Sequence, residues 1–96
     1  MISETLIKAR REEILRIAAA HGARHVRLFG STVLGQATDA SDIDLLVDLE
    51  PGRSLLDHAA MIVDLEHLLG RHVDVVTVRG LRPRVRDAIL RHAVSL

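Results

Sequence analysis

Two segments of the chain decide its fold: residues 25–31 read HVRLFGS and residues 42–49 read DIDLLVDL. The first alternates polar and apolar side chains up to a Gly-Ser pair, and the second is rich in Ile, Leu and Val, so each predicts a β-strand. Successive side chains of a strand point to opposite faces, so Asp42 and Asp44 share one face, about 7 Å apart along the chain. Their apolar neighbours point the other way and can enter a core.

A third strand repeats this design at residues 72–78, where Asp74 stands between two valines. Four further segments predict helices: residues 3–21, 30–35, 55–69 and 83–93. Residues 36–41 predict a polar loop. The order αβαβαβα predicts an α/β (α+β) fold, a small mixed β-sheet with helices packed on it, as a single domain over residues 1–96.

Capping residues mark the ends of the predicted helices. Ser3 and Ser54 can each accept a hydrogen bond from the first turn of the helix that follows. Gly22 and Gly70 can each end the preceding helix in a left-handed conformation. Pro83 suits the first turn of the last helix, because that position needs no backbone donor.

The composition excludes several classes of protein. Phe29 is the only aromatic residue among 96, so recognition of nucleic acid by base stacking is not expected. The formal charge is zero, so no overall field attracts polyanions or anionic membranes. The chain has no cysteine, no signal-peptide pattern and no apolar run of membrane-spanning length. These features predict a soluble cytoplasmic protein. Its small size and its richness in aliphatic residues predict a homo- or hetero-oligomer.

The aspartates predict a site for divalent metal ions. If the second and third strands are adjacent, Asp42, Asp44 and Asp74 converge on one patch, where their like charges repel unless a cation lies between them. Carboxylate oxygens favour Mg²⁺ or Mn²⁺. Two such ions held ~3.5–4 Å apart can activate one oxygen and stabilise another that leaves a phosphate.

The Gly-Ser pair predicts a phosphate site at the other end of the motif. Gly30 and Ser31 follow a strand and open a short helix, where backbone N–H groups favour anions. Gly30 has no Cβ, so phosphate oxygens can approach the backbone, and Ser31 adds a hydroxyl donor.

Gly-Ser, ten residues, Asp-x-Asp and a later Asp in a strand resemble the motif of the DNA polymerase β-type nucleotidyltransferase superfamily. The segments RLFGS, SDIDLLVDL and HVDVVT, together with the closing residues 81–96, resemble its smallest branch, the minimal nucleotidyltransferases of the MntA antitoxin type. The resemblance extends from about His25 to the last residue. It implies the nucleotidyltransferase fold, Mg²⁺ as the cofactor and ATP as the substrate.

The resemblance also implies a role for each residue of the motif. Asp42 and Asp44 would bind both metal ions, and Asp74 would complete the site and help to deprotonate the attacking hydroxyl. Gly30 and Ser31 would hold the β- and γ-phosphates. The chain departs from the family at residues 32–35, which read TVLG where members often carry Arg-Ala-Arg-Gly, so two cations beside the phosphates are missing.

Minimal nucleotidyltransferases pair with HEPN-domain toxins, so the resemblance implies an antitoxin that transfers AMP from ATP to such a partner. The missing arginines motivate an alternative, a non-catalytic antitoxin that blocks its partner by binding alone. A third hypothesis is transfer to a small molecule such as an aminoglycoside. The arginines near the C-terminus are read as a solvated helix face in preference to an RNA-binding surface, given the zero net charge.

Overall fold

The computed structural model describes residues 2–36 and 41–96, with backbone alone for residues 2–4. Helices and strands follow in this order: α1 (Ile2–Ala9), α2 (Arg11–Ala20), β1 (Ala23–Phe29), β2 (Ile43–Leu49), α3 (Leu55–Leu69), β3 (Val73–Thr77), α4 (Pro83–His92) and β4 (Val94–Ser95). Single 3₁₀ turns occupy Gly30–Thr32 and Val78–Gly80. No helix within the described ranges combines the length and apolar character needed to cross a membrane.

The four strands form one mixed sheet in the order β3-β2-β1-β4. β1 pairs antiparallel with both β2 and β4, whereas β2 and β3 are parallel. The mixed sheet with packed helices confirms the predicted fold class. The adjacency of β2 and β3, on which the predicted convergence of the aspartates depends, is also present.

One face of the sheet forms the main core. Ile43, Leu45 and Val47 of β2 are each at most 1% exposed and pack with Met61 and Leu65 of α3. Removal of each such side chain from water contributes about 1.5–3 kcal/mol to folding. Because side chains alternate along β2, Asp44 and Leu46 must point to the opposite face.

The strand connections assign α3 and α4 to different faces of the sheet. β3 and β4 both run parallel to β2 but on opposite sides of it, so the β2–α3–β3 and β3–α4–β4 connections cross the sheet in opposite directions. Since such crossovers are right-handed, α3 and α4 belong to opposite faces. The burial of Leu46 fits this arrangement, because it is fully buried without belonging to the core cluster on the α3 face.

The predicted helix over residues 3–21 is wrong as a single element. The chain leaves helical geometry at Arg10 (φ −110°, ψ 15°) and starts again at Arg11. The two pieces present Ile7 and Ile14 to the same core. The side chain of Ser3, predicted to cap this helix, lies outside the described part of the structure.

Two smaller differences concern the turn after β1 and the last strand. The helix predicted over residues 30–35 is a single 3₁₀ turn followed by hydrogen-bonded turns up to Gly35. Strand β4 was not predicted, because two residues are too short to show a pattern of alternation. Most of the polar loop predicted over residues 36–41 lies outside the described residues.

Helix α3 begins and ends where the sequence predicts. Ser54 Oγ accepts hydrogen bonds from the backbone N of Leu56 and Asp57, and Asp57 Oδ2 accepts one from the backbone N of Ser54 at 3.0 Å. This reciprocal capping box satisfies donors that the first turn of a helix leaves free. Gly70 ends the helix in the left-handed conformation (φ 64°).

The capping box predicts a pH dependence of stability. The hydrogen bond from the Ser54 backbone lowers the pKa of Asp57, so ionised Asp57 stabilises the folded state. This contribution is complete above the ordinary pKa of an aspartate and fades as the pH falls through the lowered value. We expect Asp57→Asn to be less stable than wild type at pH 7 and the difference to shrink in acid. Urea denaturation from pH 7 to pH 3 measures this. A difference in the free energy of unfolding that stays constant over this range would contradict the prediction.

Ser54→Ala removes the other half of the capping box and should cost about 1 kcal/mol of stability at pH 7.

Candidate active site

Gly30 lies directly against Asp44. Phe29, the last residue of β1, pairs with Asp44 across the antiparallel ladder, so the chain turns at Gly30 just beyond it. Gly30 has φ +78°, a conformation that side-chain-bearing residues rarely adopt. A Cβ atom on Gly30 would overlap Oδ2 of Asp44. The structure therefore brings together the two halves of the motif and gives a steric reason for glycine at this position.

Asp44 and Asp74 are neighbours because β2 and β3 run parallel in register. The two residues are paired across the ladder, and Asp42 immediately precedes β2. Asp44 is half-buried, whereas Asp42 and Asp74 are exposed. Burial raises the pKa of Asp44, and the negative charges of Asp74 and then Asp42 raise it further. The charges of Asp74 and Asp42 thus both act on Asp44.

The carboxylate oxygens of the three aspartates suit a hard divalent cation, although their side chains are not arranged as a complete set of metal ligands. In the part of the chain that the structure describes, no three His, Asp or Glu side chains are arranged to hold a metal ion together. A cation between the carboxylates would nevertheless relieve the repulsion that raises the pKa of Asp44. The predicted residues therefore fit Mg²⁺ by their chemistry, and metal binding would require their side chains to turn toward one another.

Polar contacts at the strand starts fix the positions of the carboxylates. The backbone N of Ile43 donates to the carbonyl of His72 at 2.9 Å. Glu66 Oε2, from the last turn of α3, accepts from the backbone N of Val73 at 3.0 Å. A guanidinium N of Arg71 donates to the carbonyl of Ser41. These bonds hold the starts of β2 and β3, next to Asp42 and Asp74, in fixed positions beside each other.

Neither Glu66 nor Arg71 was singled out from the sequence. Both are charged residues near the end of a helix, where such residues commonly face solvent, and no motif includes them. Their contacts join segments separated by 7 and 30 positions along the chain. Only the folded arrangement shows that they support the site.

Ser31 lies in the 3₁₀ turn next to Gly30 and is half-exposed. The neighbouring Thr32 is buried, and its hydroxyl has no hydrogen-bond partner among the described residues. The three-residue turn is shorter than the predicted helix and offers less of a helix dipole. The phosphate-binding roles of Gly30 and Ser31 stay predictions.

A fold of this kind, with an Asp-x-Asp strand beside a Gly-Ser turn, defines the nucleotidyltransferase class. Residues 10–96 match the Nucleotidyltransferase domain family, and the chain belongs to it. The predicted resemblance to minimal nucleotidyltransferases is thereby confirmed.

Individual relatives agree with this assignment. Protein adenylyltransferase MntA of Thermococcus cleftensis is 40% identical over 91 residues, which cover 86% of this chain and 92% of that protein. A solved structure described as a minimal nucleotidyltransferase is 53% identical, with a TM-score of 0.86 over 94% of this chain and 92% of that one. A crystal structure of a toxin–antitoxin with AMP-PNP shares the fold, with a TM-score of 0.76, 20% identity and coverage of 88% and 69%.

Proposed function

We propose that the chain is an antitoxin that transfers AMP from ATP to a hydroxyl group of a HEPN-domain toxin. The observation that carries this proposal is the contact of Gly30 with Asp44, beside the in-register Asp74. This contact supports a single site in which the predicted phosphate turn lies next to the predicted metal ligands. Protein as the acceptor is supported by the similarity to protein adenylyltransferase MntA, and a toxin as the partner by the fold shared with a toxin–antitoxin structure.

Each residue has a distinct part in this proposal. Gly30 and Ser31 bind the β- and γ-phosphates, and the missing Cβ of Gly30 allows the carboxylate of Asp44 to lie against the turn. Asp42, Asp44 and Asp74 would hold two Mg²⁺ ions, which would supply positive charge beside the reacting phosphate. Asp74 accepts the proton of the acceptor hydroxyl. The acceptor oxygen then forms a bond to the α-phosphorus, and the bond to pyrophosphate breaks.

One observation favours a second candidate, a non-catalytic antitoxin that acts by binding. After Gly30 and Ser31 the chain carries Thr32, Val33 and Leu34, of which Thr32 is buried. None of these residues can neutralise a phosphate. Under this second candidate, Asp42, Asp44 and Asp74 keep their positions in the fold but no longer catalyse the transfer of a nucleotide.

Intact mass spectrometry tests the proposal. The chain is purified with its native partner, incubated with ATP and Mg²⁺, and both proteins are weighed. We expect the partner to gain the mass of one or more AMP groups with wild type and with the control Asp48→Asn, which changes a carboxylate at the far end of β2. The Asp42→Asn, Asp44→Asn double variant should give no gain.

A stable complex whose partner gains no mass, with Mn²⁺ and the other nucleoside triphosphates also tried, would exclude the enzymatic proposal. The binding candidate would then stand. Modification that persists in the double variant would instead remove the aspartates from the site.

A further inference from the structure

Among the three aspartates of the proposed metal site, Asp42 lies outside the strands. Asp44 belongs to β2 and Asp74 to β3, and the two are paired in the parallel ladder, whereas Asp42 precedes β2 and is exposed. A carboxylate that binds a metal ion depends on contacts around it that fix its position. The ladder does not provide such contacts for Asp42, so they must come from elsewhere in the fold.

The connection between α3 and β3 bonds to both chain neighbours of Asp42. On one side, the backbone N of Ile43 donates to the carbonyl of His72 at 2.9 Å. On the other side, a guanidinium N of Arg71 donates to the carbonyl of Ser41, which lies 30 positions earlier in the chain. Two consecutive residues of the connection therefore hold the chain immediately before and immediately after Asp42.

Of these two bonds, only the one from Arg71 depends on the identity of a side chain. The bond between Ile43 and His72 joins backbone groups, so most residues at position 72 could accept it. Arg71 is half-buried, and its guanidinium carries a charge, which makes a hydrogen bond to a carbonyl stronger than one from a neutral donor. The residue at position 71 thus determines whether Ser41 is held in place.

The charge of Arg71 and its hydrogen bond have opposite effects on a metal site. The guanidinium brings a positive charge to the residue next to Asp42, and that charge repels a divalent cation. If the charge alone mattered, Arg71 would weaken metal binding. A contact that fixes a metal ligand strengthens binding instead, by about 10–100-fold in known sites. Because the two effects differ in sign, an experiment can separate them.

We propose that Arg71 is a positioning residue that raises the affinity of the site for a divalent cation by holding Ser41, and through it Asp42, in place. This inference rests on the proposed function, whose metal ligands it concerns. It gives Arg71 no contact with the nucleotide or with the reacting atoms. The positioning effect of the hydrogen bond outweighs the repulsion between the guanidinium and the cation.

Mn²⁺ binding to the purified chain tests this role, with free Mn²⁺ measured by its electron paramagnetic resonance signal. Arg71→Met removes the donor and the charge but keeps an unbranched side chain, and it should weaken Mn²⁺ binding at least about tenfold. Arg71→Lys keeps the charge and can donate to the same carbonyl, so it should recover most of the affinity. If Arg71→Met does not fold, Arg71→Gln, with a shorter and neutral side chain, takes its place with the same expected loss.

A double-mutant cycle shows whether Arg71 acts through Asp42. Asp42→Asn alone should weaken Mn²⁺ binding. Addition of Arg71→Met to that variant should cause no further loss, because the ligand that Arg71 holds is already gone. An equal loss from Arg71→Met with and without Asp42 would overturn the proposal.

Arg53→Met is the matched control, since it makes the same substitution at an arginine that bonds to Glu50, beyond the far end of β2. It should lower the melting temperature and leave the affinity for Mn²⁺ unchanged. Equal weakening by this control, or unchanged binding in Arg71→Met, would overturn the role of Arg71. Tighter binding in Arg71→Met would also overturn it, because that is the result expected from the charge alone.

The failures of the two proposals can be told apart. Mn²⁺ binding that depends on Arg71 without AMP transfer to the partner removes the enzymatic function and leaves the role of Arg71. AMP transfer by a chain whose affinity for Mn²⁺ does not depend on Arg71 does the reverse. A wild-type chain that binds no Mn²⁺ removes the metal site and the role of Arg71 with it.

Discussion

Asp44→Asn is expected to stabilise the metal-free protein and at the same time to abolish AMP transfer. In the folded state burial and the charges of Asp74 and Asp42 raise the pKa of Asp44, so the ionised carboxylate opposes folding. The neutral amide removes that opposition and keeps the side-chain shape. It also removes a proposed ligand for the cation, whose stabilisation of a transition state would amount to several kcal/mol. Transfer should fall by more than about a thousandfold, since each 1.36 kcal/mol is a factor of ten.

The stability gain should depend on pH in a defined direction. A raised pKa means that the carboxylate costs stability above the raised value and nothing below the ordinary one. We expect Asp44→Asn to melt at a higher temperature than wild type at pH 7, without Mg²⁺, and at a similar temperature near pH 3. Calorimetric melting at both values measures this. A variant that is less stable at pH 7 would show that Asp44 is held by favourable contacts and is not poised for a cation.

Gly30→Ala is expected to lower both stability and activity. The left-handed φ of +78° costs a residue with a Cβ about 1–2 kcal/mol. The new Cβ also overlaps the carboxylate of Asp44, so either the turn or Asp44 must move. A displacement of 1 Å at a reacting centre can cost on the order of a hundredfold in rate. Urea denaturation and the rate of partner modification together measure the two losses.

Gly35→Ala provides the matched control for this variant. Gly35 has nearly the same φ, +72°, but nothing lies within 4 Å of where its Cβ would stand. It should lose only the backbone part of the stability and retain activity. If both variants lose activity equally, the loss comes from the changed backbone conformation and not from the contact between position 30 and Asp44.

The sequence predicts those elements whose ends are marked by residues of unambiguous capping chemistry. Ser54 and Gly70 define α3 to the residue, because one side chain caps the first turn and only glycine easily takes the left-handed end. No proline or glycine marks the break at Arg10, so no local signal in the sequence predicts it. Strand β4 depends on a partner more than 60 positions away, so no local pattern reveals it.

The sequence predicts the part of the candidate site that depends on the alternation of side chains along a strand and on the spacing of the aspartates. The alternation along β2 placed Asp42 and Asp44 on one face, and the repeated pattern at Asp74 suggested a neighbouring strand. Position 30 requires glycine because a Cβ there would overlap Asp44 of the neighbouring strand β2. That contact joins two different strands, so the local sequence around Gly30 does not reveal it. The supporting contact of Glu66 has the same origin, and local pattern could not show it.

The in-register pairing of Asp44 with Asp74 restricts how this protein can evolve. Three residues, Gly70, Arg71 and His72, join α3 to β3. Substitutions there alter only side chains, but one inserted or deleted residue would shift β3 by one place against its neighbours, and a shift of one place turns every side chain of a strand to the other face. Asp74 would then enter the aliphatic core and Val75 would reach the solvent. Among descendants of this chain, the length of the connection should therefore vary less than its composition.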